Sequence, residues 1–400
     1  HAEAFLFGNE KRPQDKFEYT DLSEMFPGYK YEYGKSEYRG EDPSEGGYVY
    51  SEPGVYSNVG LFDVASMHPS SLIAMNYFGP YTERFADLKQ TRIDIKHGNY
   101  DAARKAFNGS LKPYLEDEGT ASSLAQAMKI IINIVYGLTS AKWDNKFRHP
   151  KNNDNIVAKR GALFMIDLKH AVQEQGYTVV HVKTDSIKVA DADDEIRDFI
   201  FEFGKKYDYD FEHEATYDKL ALVNRAVYIA KKDKEDGTTE WEAIGAQFAE
   251  PYVFKTLFTK ETLRPKDYIL TKQATKPIYL GDSFIGKIAN VYASKTGSPA
   301  YRYDAAKDEL DAGGVSMGPI EKEVDGKRVQ LKDGKSYLSG TKGYLWKLGT
   351  DIDETSMSDV DMQYYTNLAS DAVNNIAKVG DVREIIEDET VDMFLTISED

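Results

Sequence analysis

Two short apolar stretches that each close on an aspartate constrain this chain most: VGLFDVA, residues 59–65, and HVKTDSIKV, residues 181–189. The first has the unbroken apolar character of a strand covered on both faces. The second reads as two short strands joined through Thr184-Asp185-Ser186. A bare carboxylate is costly inside such a strand. Asp63 and Asp185 are therefore expected at strand ends, on one shared edge of a sheet. Two carboxylates so placed repel, and a divalent cation that favours oxygen ligands, Mg2+ or Mn2+, would remove the repulsion. Either aspartate taken alone reads better as a turn cap than as a metal ligand.

A third element lies between them. KIIINIVYG sets Lys129, Asn133 and Tyr136 at i, i+4 and i+7, one face of a helix, while Ile130, Ile131, Ile134 and Val135 are expected to pack inward. Lys129 offers a mobile charge for phosphate, and Gly137 lets a flat group approach the backbone. The bland alternative is a surface helix with an ordinary polar side.

The net charge of -17 argues against a polyanionic partner only until its distribution is read. Residues 351–400 carry 14 acidic and 2 basic residues, a net of -12, so the other 350 carry -17 + 12 = -5. Lys255 to Lys287 holds seven basic and three acidic residues, and Arg84 to Lys112 forms a second basic concentration. Absence of cysteine excludes disulfides and thiolate chemistry. No uninterrupted apolar run approaches the ~20 residues that span a bilayer, so no membrane partner is expected. A start at His1 instead of Met reads as a processed or excised piece.

With 400 residues, two or three packed units are expected. Residues 28–60 read as extended chain and turns, Glu83 to Asn108 as a basic helix, and Ser122 to Tyr136 and Asn155 to Gly176 as further helices. Asp194 to Lys206 is another. FEHEAT, LALVN and AVYIAKK read as strands, with His213 structural or solvated. From Glu250 turn signals recur (ETLRPKD, KTGSPA, DAGGVSMGP, VDGK, KDGK), indicating a second unit of short strands that closes on an acidic helix near Asp359 to Lys378. The fold class is α+β.

DVASMHPSS (63–71), KIIINIVYG (129–137) and KTDS (183–186) resemble, in order and spacing, motifs A, B and C of family B DNA polymerases. NRAVYIA (224–230) is similar to the family's K-K-x-Y motif, and EGGYV (45–49) to its Y-x-G-G segment. WEAIGAQFAEPYVFKTLF and SGTKGYLW resemble the bacteriophage branch. The resemblance implies a right-hand polymerase with an antiparallel-sheet palm, helical-hairpin fingers and a mixed α/β thumb. Residues 1–47 would be a linker leading into the palm, 48–82 the first part of the palm, 83–138 the fingers, 139–254 the second part of the palm, and 255–400 the thumb with the acidic C-terminal segment.

The implied activity is template-directed transfer of nucleotides from dNTPs to a primer 3′-hydroxyl. Asp63 and Asp185, with the backbone carbonyl of Val64, would bind two Mg2+ ions, one activating the primer hydroxyl and the other holding the triphosphate. Ser66, Met67 and His68 would face phosphate oxygens. Arg92 and Lys96, matching the family's R-x-x-x-K pair, would grip the triphosphate opposite Lys129 and Asn133, and Tyr136 and Gly137 would flank the nascent base pair. Lys129 is thereby placed in the catalytic set. Gly46, Gly47, Gly137, Lys183, Arg225, Tyr228 and Lys255 would contact primer-template DNA. Lys183 replaces the family's usual Asp and is expected to meet a DNA phosphate or an acidic neighbour. His68 replaces a Tyr that excludes the ribose 2′-hydroxyl and is expected to block that hydroxyl with its ring.

No strand-borne D-x-E precedes Asp63, so a proofreading exonuclease is expected on a separate chain or removed segment. The expected location is the cytoplasm, of a bacterial host if the gene is a phage's. A primase-like enzyme with relaxed sugar choice and a non-catalytic DNA-binding subunit are the rival readings.

Overall fold

The computed structural model describes residues 1–303, 320–324, 327–331 and 335–396. DAGGVSMGP, the DG of VDGK and the KDG of KDGK lie outside the described residues. The chain divides into two units, His1–Glu52 with Tyr56–Asp218, and Pro53–Val55 with Lys219–Asp400. The compositional change near residue 250 does not mark this division, because a single strand, Phe211–Asn224, runs through it.

Unit 1 is a twisted sheet covered by helices. The strands of this sheet are β1 (Val49–Ser51), β2 (Gly54–Val64, in this unit from Tyr56), β3 (Val179–Lys183), β4 (Ser186–Val189) and the first half of β5 (Phe211–Asn224), in the order β1-β3-β4-β2-β5. The β1/β3, β3/β4 and β4/β2 pairs are antiparallel. Val59, Phe62 and Val64 in β2, and Val179, Val180 and Val182 in β3, are buried. This is the near-continuous apolar pattern of a sheet covered on both faces. The α-helices of unit 1 with six or more residues are α1 (Ala2–Phe7), α2 (Met67–Ala74), α3 (Thr82–Lys96), α4 (Tyr100–Lys105), α5 (Glu118–Thr139), α6 (Ile156–Glu174) and α7 (Asp194–Lys205). α6 lies against β3 and α2. It approaches closely because residue 161 is glycine: a Cβ there would sit 2.6 Å from the sulfur of Met67.

Three expectations change. The single basic helix over 83–108 is broken at Gly98 (φ +74°) into α3 and α4, and Phe107 and Asn108 are left-handed. On α5 the buried stripe is Met128, Ile132, Val135 and Thr139, at i, i+4, i+7 and i+11, whereas Ile130 and Ile134 are about half exposed. Residues 1–47 do not hang as a linker. Leu6, Phe7, Phe17, Leu22, Phe26, Tyr29 and Tyr38 are buried in the unit 1 core, because burying aromatic rings is the largest single-residue gain available to that segment. Among the described residues α5 is also long and apolar enough on average to cross a membrane; its stripe of Met128, Ile132 and Val135 packs into the unit 1 core.

Unit 2 contains the rest of β5, β6 (Val227–Asp233) and β7 (Thr239–Ile244), and a second antiparallel sheet. That sheet is built from β8 (Leu270–Leu280), β9 (Ser283–Ser294), β10 (Ala300–Tyr303), β11 (Lys335–Tyr337) and β12 (Leu345–Leu348), in the order β11-β10-β8-β9-β12. FEHEAT and LALVN, expected as two strands, are one continuous β5. The acidic C-terminal region folds as α8 (Met362–Ala377) and α9 (Asp388–Phe394). Tyr364, Tyr365, Ala369, Val373 and Ile376 form the apolar face of α8 and lie in the unit 2 core, so this acidic segment is a structural part of the unit.

Candidate active site

The geometry begins with register. In the β2/β4 pair Asp63 stands opposite Ser186, and the amide of Val64 donates to the carbonyl of Asp185 at 2.8 Å. This pairing places the last residues of β2 beside the two-residue turn Thr184-Asp185. Thr184 takes a left-handed conformation (φ 54°) to close that turn. Both aspartates thus reach one edge of the sheet, as their positions at strand ends implied.

The electrostatics follow from this placement. The Asp63 carboxyl is pushed up to about 6, first by partial burial and then by Glu214, Asp185 and Glu212, with Lys96 pulling it back. Burial also raises Asp185. Uncompensated negative charge is concentrated here. Among the described residues, no three His, Asp or Glu side chains converge closely enough to hold a metal ion. The fit to a divalent cation therefore rests on the aspartate pair and on the mutual repulsion that such an ion relieves.

Lys96 links this edge to a second feature. Arg92 and Lys96 from α3 and Lys129 from α5 line one cleft of 780 Å³, together with Tyr100, Ser122 and Gln126. Asn133 is exposed one turn beyond Lys129 on α5. Lys89, one turn before Arg92, donates to Ser70 of α2 at 2.9 Å and ties the two helices together; its burial depresses its pKa.

At the start of α2, Ser66 is left-handed and Met67 is 3% exposed. Any contact of Met67 with a ligand would therefore be through its backbone. His68 lies face to face on Tyr136, with centroids 4.1 Å apart and planes 5° apart. Burial pushes its pKa down to about 4, so the ring is neutral at pH 7, and its Nδ1 is buried without a hydrogen-bond partner.

No family model matches the chain. Over 167 residues it is 30% identical to DNA polymerase II of Escherichia coli (strain K12), a stretch that covers 36% of this chain and 19% of that protein. Among solved structures it is similar to the family B DNA polymerase of the hyperthermophilic archaeon Pyrobaculum calidifontis. That similarity has a TM-score of 0.44 and 13% identity, and covers 86% of this chain and 47% of that one. The chain thus spans less than half the length of either protein.

The remaining sequence candidates fall in different places. Lys183 ends β3 exposed, without an ion pair among the described residues. Gly46 and Gly137 have open space where a Cβ would stand, but Gly47 does not. At φ +140° its absent Cβ would lie 2.8 Å from Thr184 Oγ1, and the neighbouring Tyr48 carbonyl accepts from the Thr184 amide at 2.9 Å. Gly47 therefore seats the turn that carries Asp185. Gly47→Ala is expected to destabilise unit 1 by roughly 1 kcal/mol or more, through backbone strain and the clash, and to weaken metal-dependent activity. Melting and activity measured on one preparation check this together. Arg225, Tyr228 and Lys255 belong to unit 2. The Tyr228 hydroxyl donates to Glu242 at 2.8 Å, and Lys255 is held by Asp267 at 3.1 Å.

Sequence reading missed Glu212 and Glu214. They flank His213, which stacks on Phe62 with centroids 4.8 Å apart. The available signal was the E-x-E spacing itself, which puts both carboxylates on one face of a strand.

Proposed function

We propose that this chain is the polymerase core of a family B DNA polymerase of bacteriophage type, extending a primer by template-directed nucleotidyl transfer. The observation that carries the reading is the convergence of Asp63 and Asp185 at one sheet edge, within electrostatic reach of Lys96 in a cleft lined by three cations. The stretch of identity with DNA polymerase II supports it.

In this reading the sheet of unit 1 is the palm, α3 and α5 are the fingers, and unit 2 includes the thumb. Asp63, Asp185 and the Val64 carbonyl would hold Mg2+, or Mn2+ in its place. Bound there, the metal supplies charge neutralisation and Lewis-acid polarisation at the phosphate. Arg92, Lys96 and Lys129 bind and orient the triphosphate, and Asn133 lies one turn further along the same helix face. Exposed Lys183 meets a phosphate of the primer-template. His68, fixed against Tyr136, limits the space at the sugar. Proofreading belongs to another polypeptide or segment, and the reaction takes place in the cytoplasm of a bacterial host.

The test is extension of a primed template with Mg2+ and dNTPs, repeated with ribonucleotides. No extension with either set refutes the reading, and equal extension with both favours the primase-like alternative that the small imidazole of His68 permits. Lys96→Ala is expected to raise the KM for dNTP by roughly tenfold, the value of a charge-assisted contact. It should also move the acid limb of the pH–rate profile to higher pH, because Lys96 holds the Asp63 pKa down. An unmoved limb would separate Lys96 from Asp63.

A further inference from the structure

Lys89 of α3 meets α2 through a hydroxyl and not through a carboxylate. Its ammonium donates to Ser70 Oγ at 2.9 Å, Ser70 is 3% exposed, and Lys89 makes no ion pair among the described residues. The two residues line a cavity of 320 Å³ together with Ile73 and Ala74 of α2 and with Asp208, which stands between α7 and β5. All five belong to unit 1. The volume lies at the small end of the ~300–1,000 Å³ of ligand pockets, with room for a group of a few carbon atoms. This cavity shares no lining residue with the cleft of Arg92, Lys96 and Lys129.

Burial lowers the pKa of Lys89 against the pull of Asp210, so more of it is free amine than in an exposed lysine. A free amine that donates one N–H to Ser70 keeps its lone pair for an electrophile, and desolvated lysines are nucleophiles for this reason. Burial alone does not single out Lys89. It lowers Lys159 as well, but Lys159 is 1% exposed and its ammonium is taken by the Ser44 carbonyl. Lys89 is only half-buried and opens on the cavity. Asp208 in the lining and Asp210 within electrostatic reach disfavour an anionic reagent there. We propose that Lys89 is a modification site for small uncharged acyl donors of the thioester class. The Lys89 nitrogen attacks the acyl carbon and a C–N bond forms. The C–S bond breaks, its electron pair goes to sulfur, and the proton lost from nitrogen ends on the thiol. The resulting amide carries no charge. It sits on the bond between α2, whose first turn holds His68, and α3, which carries Arg92 and Lys96. The site goes beyond the polymerase reading and does not need it, since acylation requires neither metal nor nucleotide.

The experiment treats the full chain at neutral pH with S-acetyl-N-acetylcysteamine, an uncharged thioester, and in parallel with acetyl phosphate, which carries the same acetyl group on an anion. Peptide mass mapping over time gives the rate at each lysine. With the thioester, Lys89 is expected to be acetylated ahead of the exposed Lys142 and Lys206, while Lys159 stays unmodified. With acetyl phosphate Lys89 should lose that lead. Asp210→Asn removes the charge that holds the Lys89 pKa up, and should speed acetylation of Lys89 while leaving Lys142 and Lys206 unchanged. Ala74→Leu fills the cavity and should abolish the preference for Lys89. If that variant does not fold, Ile73→Phe replaces it, with the same loss expected. Acetylation of Lys89 no faster than that of Lys142 and Lys206 overturns the proposal. So does an undiminished rate in the folded, cavity-filled variant. Lys159 reacting as fast as Lys89 also overturns it, since labelling would then follow opening of the fold and not access through the cavity. Since primer extension is scored separately, either reading can fail without the other.

Discussion

Asp185→Ala and Asp63→Asn are each expected to cut primer extension by on the order of 10³-fold or more, because electrostatic groups aimed at a reaction centre are worth ~10²–10³ apiece. Duplex binding should survive in both. Extension above about 1% of wild type in either variant would remove that aspartate from the chemistry. The same Asp63→Asn change is expected to stabilise the fold. Partial burial, then Glu214, Asp185 and Glu212, raise the Asp63 carboxyl from 3.8 to about 6. The folded chain therefore holds this proton more tightly than the unfolded chain. The associated stability is complete below pH 3.8 and is lost as pH rises through about 6. At pH 7 wild type carries the full penalty of the ionised group and the asparagine variant carries none. The variant should melt higher at pH 7, with the difference closing on acidification. Mg2+ should raise the melting temperature of wild type at pH 7 and leave Asp63→Asn unmoved, which thermal melts at two pH values with and without the metal would read. A variant that melts lower at pH 7 would mean that Asp63 is a structural anchor.

Lys169→Ala is expected to cost about 3 kcal/mol, the usual result of removing one partner from a buried ion pair. Lys169 is 4% exposed on α6. Its ammonium donates to Glu41 at 2.6 Å and to the Tyr48 hydroxyl at 2.8 Å, and it lies 4.3 Å from the centroid of Tyr50. Glu41 also accepts from the Tyr48 hydroxyl and pairs with His170 at 3.0 Å. Burial pushes the Glu41 carboxyl up, but the hydrogen bonds from Lys169, Tyr48 and His170 outweigh it and hold the group below the usual range. Its contribution is therefore lost on acidification. The network fixes the segment that carries Gly47 and Tyr48, and so the turn of Asp185, which makes a loss of activity the second expected result. Urea denaturation gives the first, and a Lys169→Ala/Glu41→Ala cycle isolates the pair. A loss under about 1 kcal/mol would mean that solvent screens the network as it does a surface pair.

Much of the site was legible because it is written in short-range rules. Unpaired carboxylates are excluded from strand interiors, which sent Asp63 and Asp185 to strand ends. An i, i+4, i+7 spacing set Lys129, Asn133 and Tyr136 on one side of α5. The same rule misled for Ile130 and Ile134, since a helix apolar on most sides does not say which stripe meets the core. Glu212 and Glu214 stayed hidden because their role comes from what β5 lies beside. The acidic helix near Asp359 to Lys378 was legible as a helix, but charge counts do not show that Tyr364, Tyr365, Val373 and Ile376 share a buried face.

The sequence by itself determined the kinds of element, the two aspartates and the cationic helix faces, because strand and helix periodicities and the cost of burying charge act locally. Only the tertiary structure decided which carboxylates gather around Asp63, that residues 1–47 belong to the core, that Gly47 seats the Asp185 turn, and that Lys89 meets Ser70. Each of these depends on strand register and on contacts between residues far apart in the chain, which no local pattern encodes.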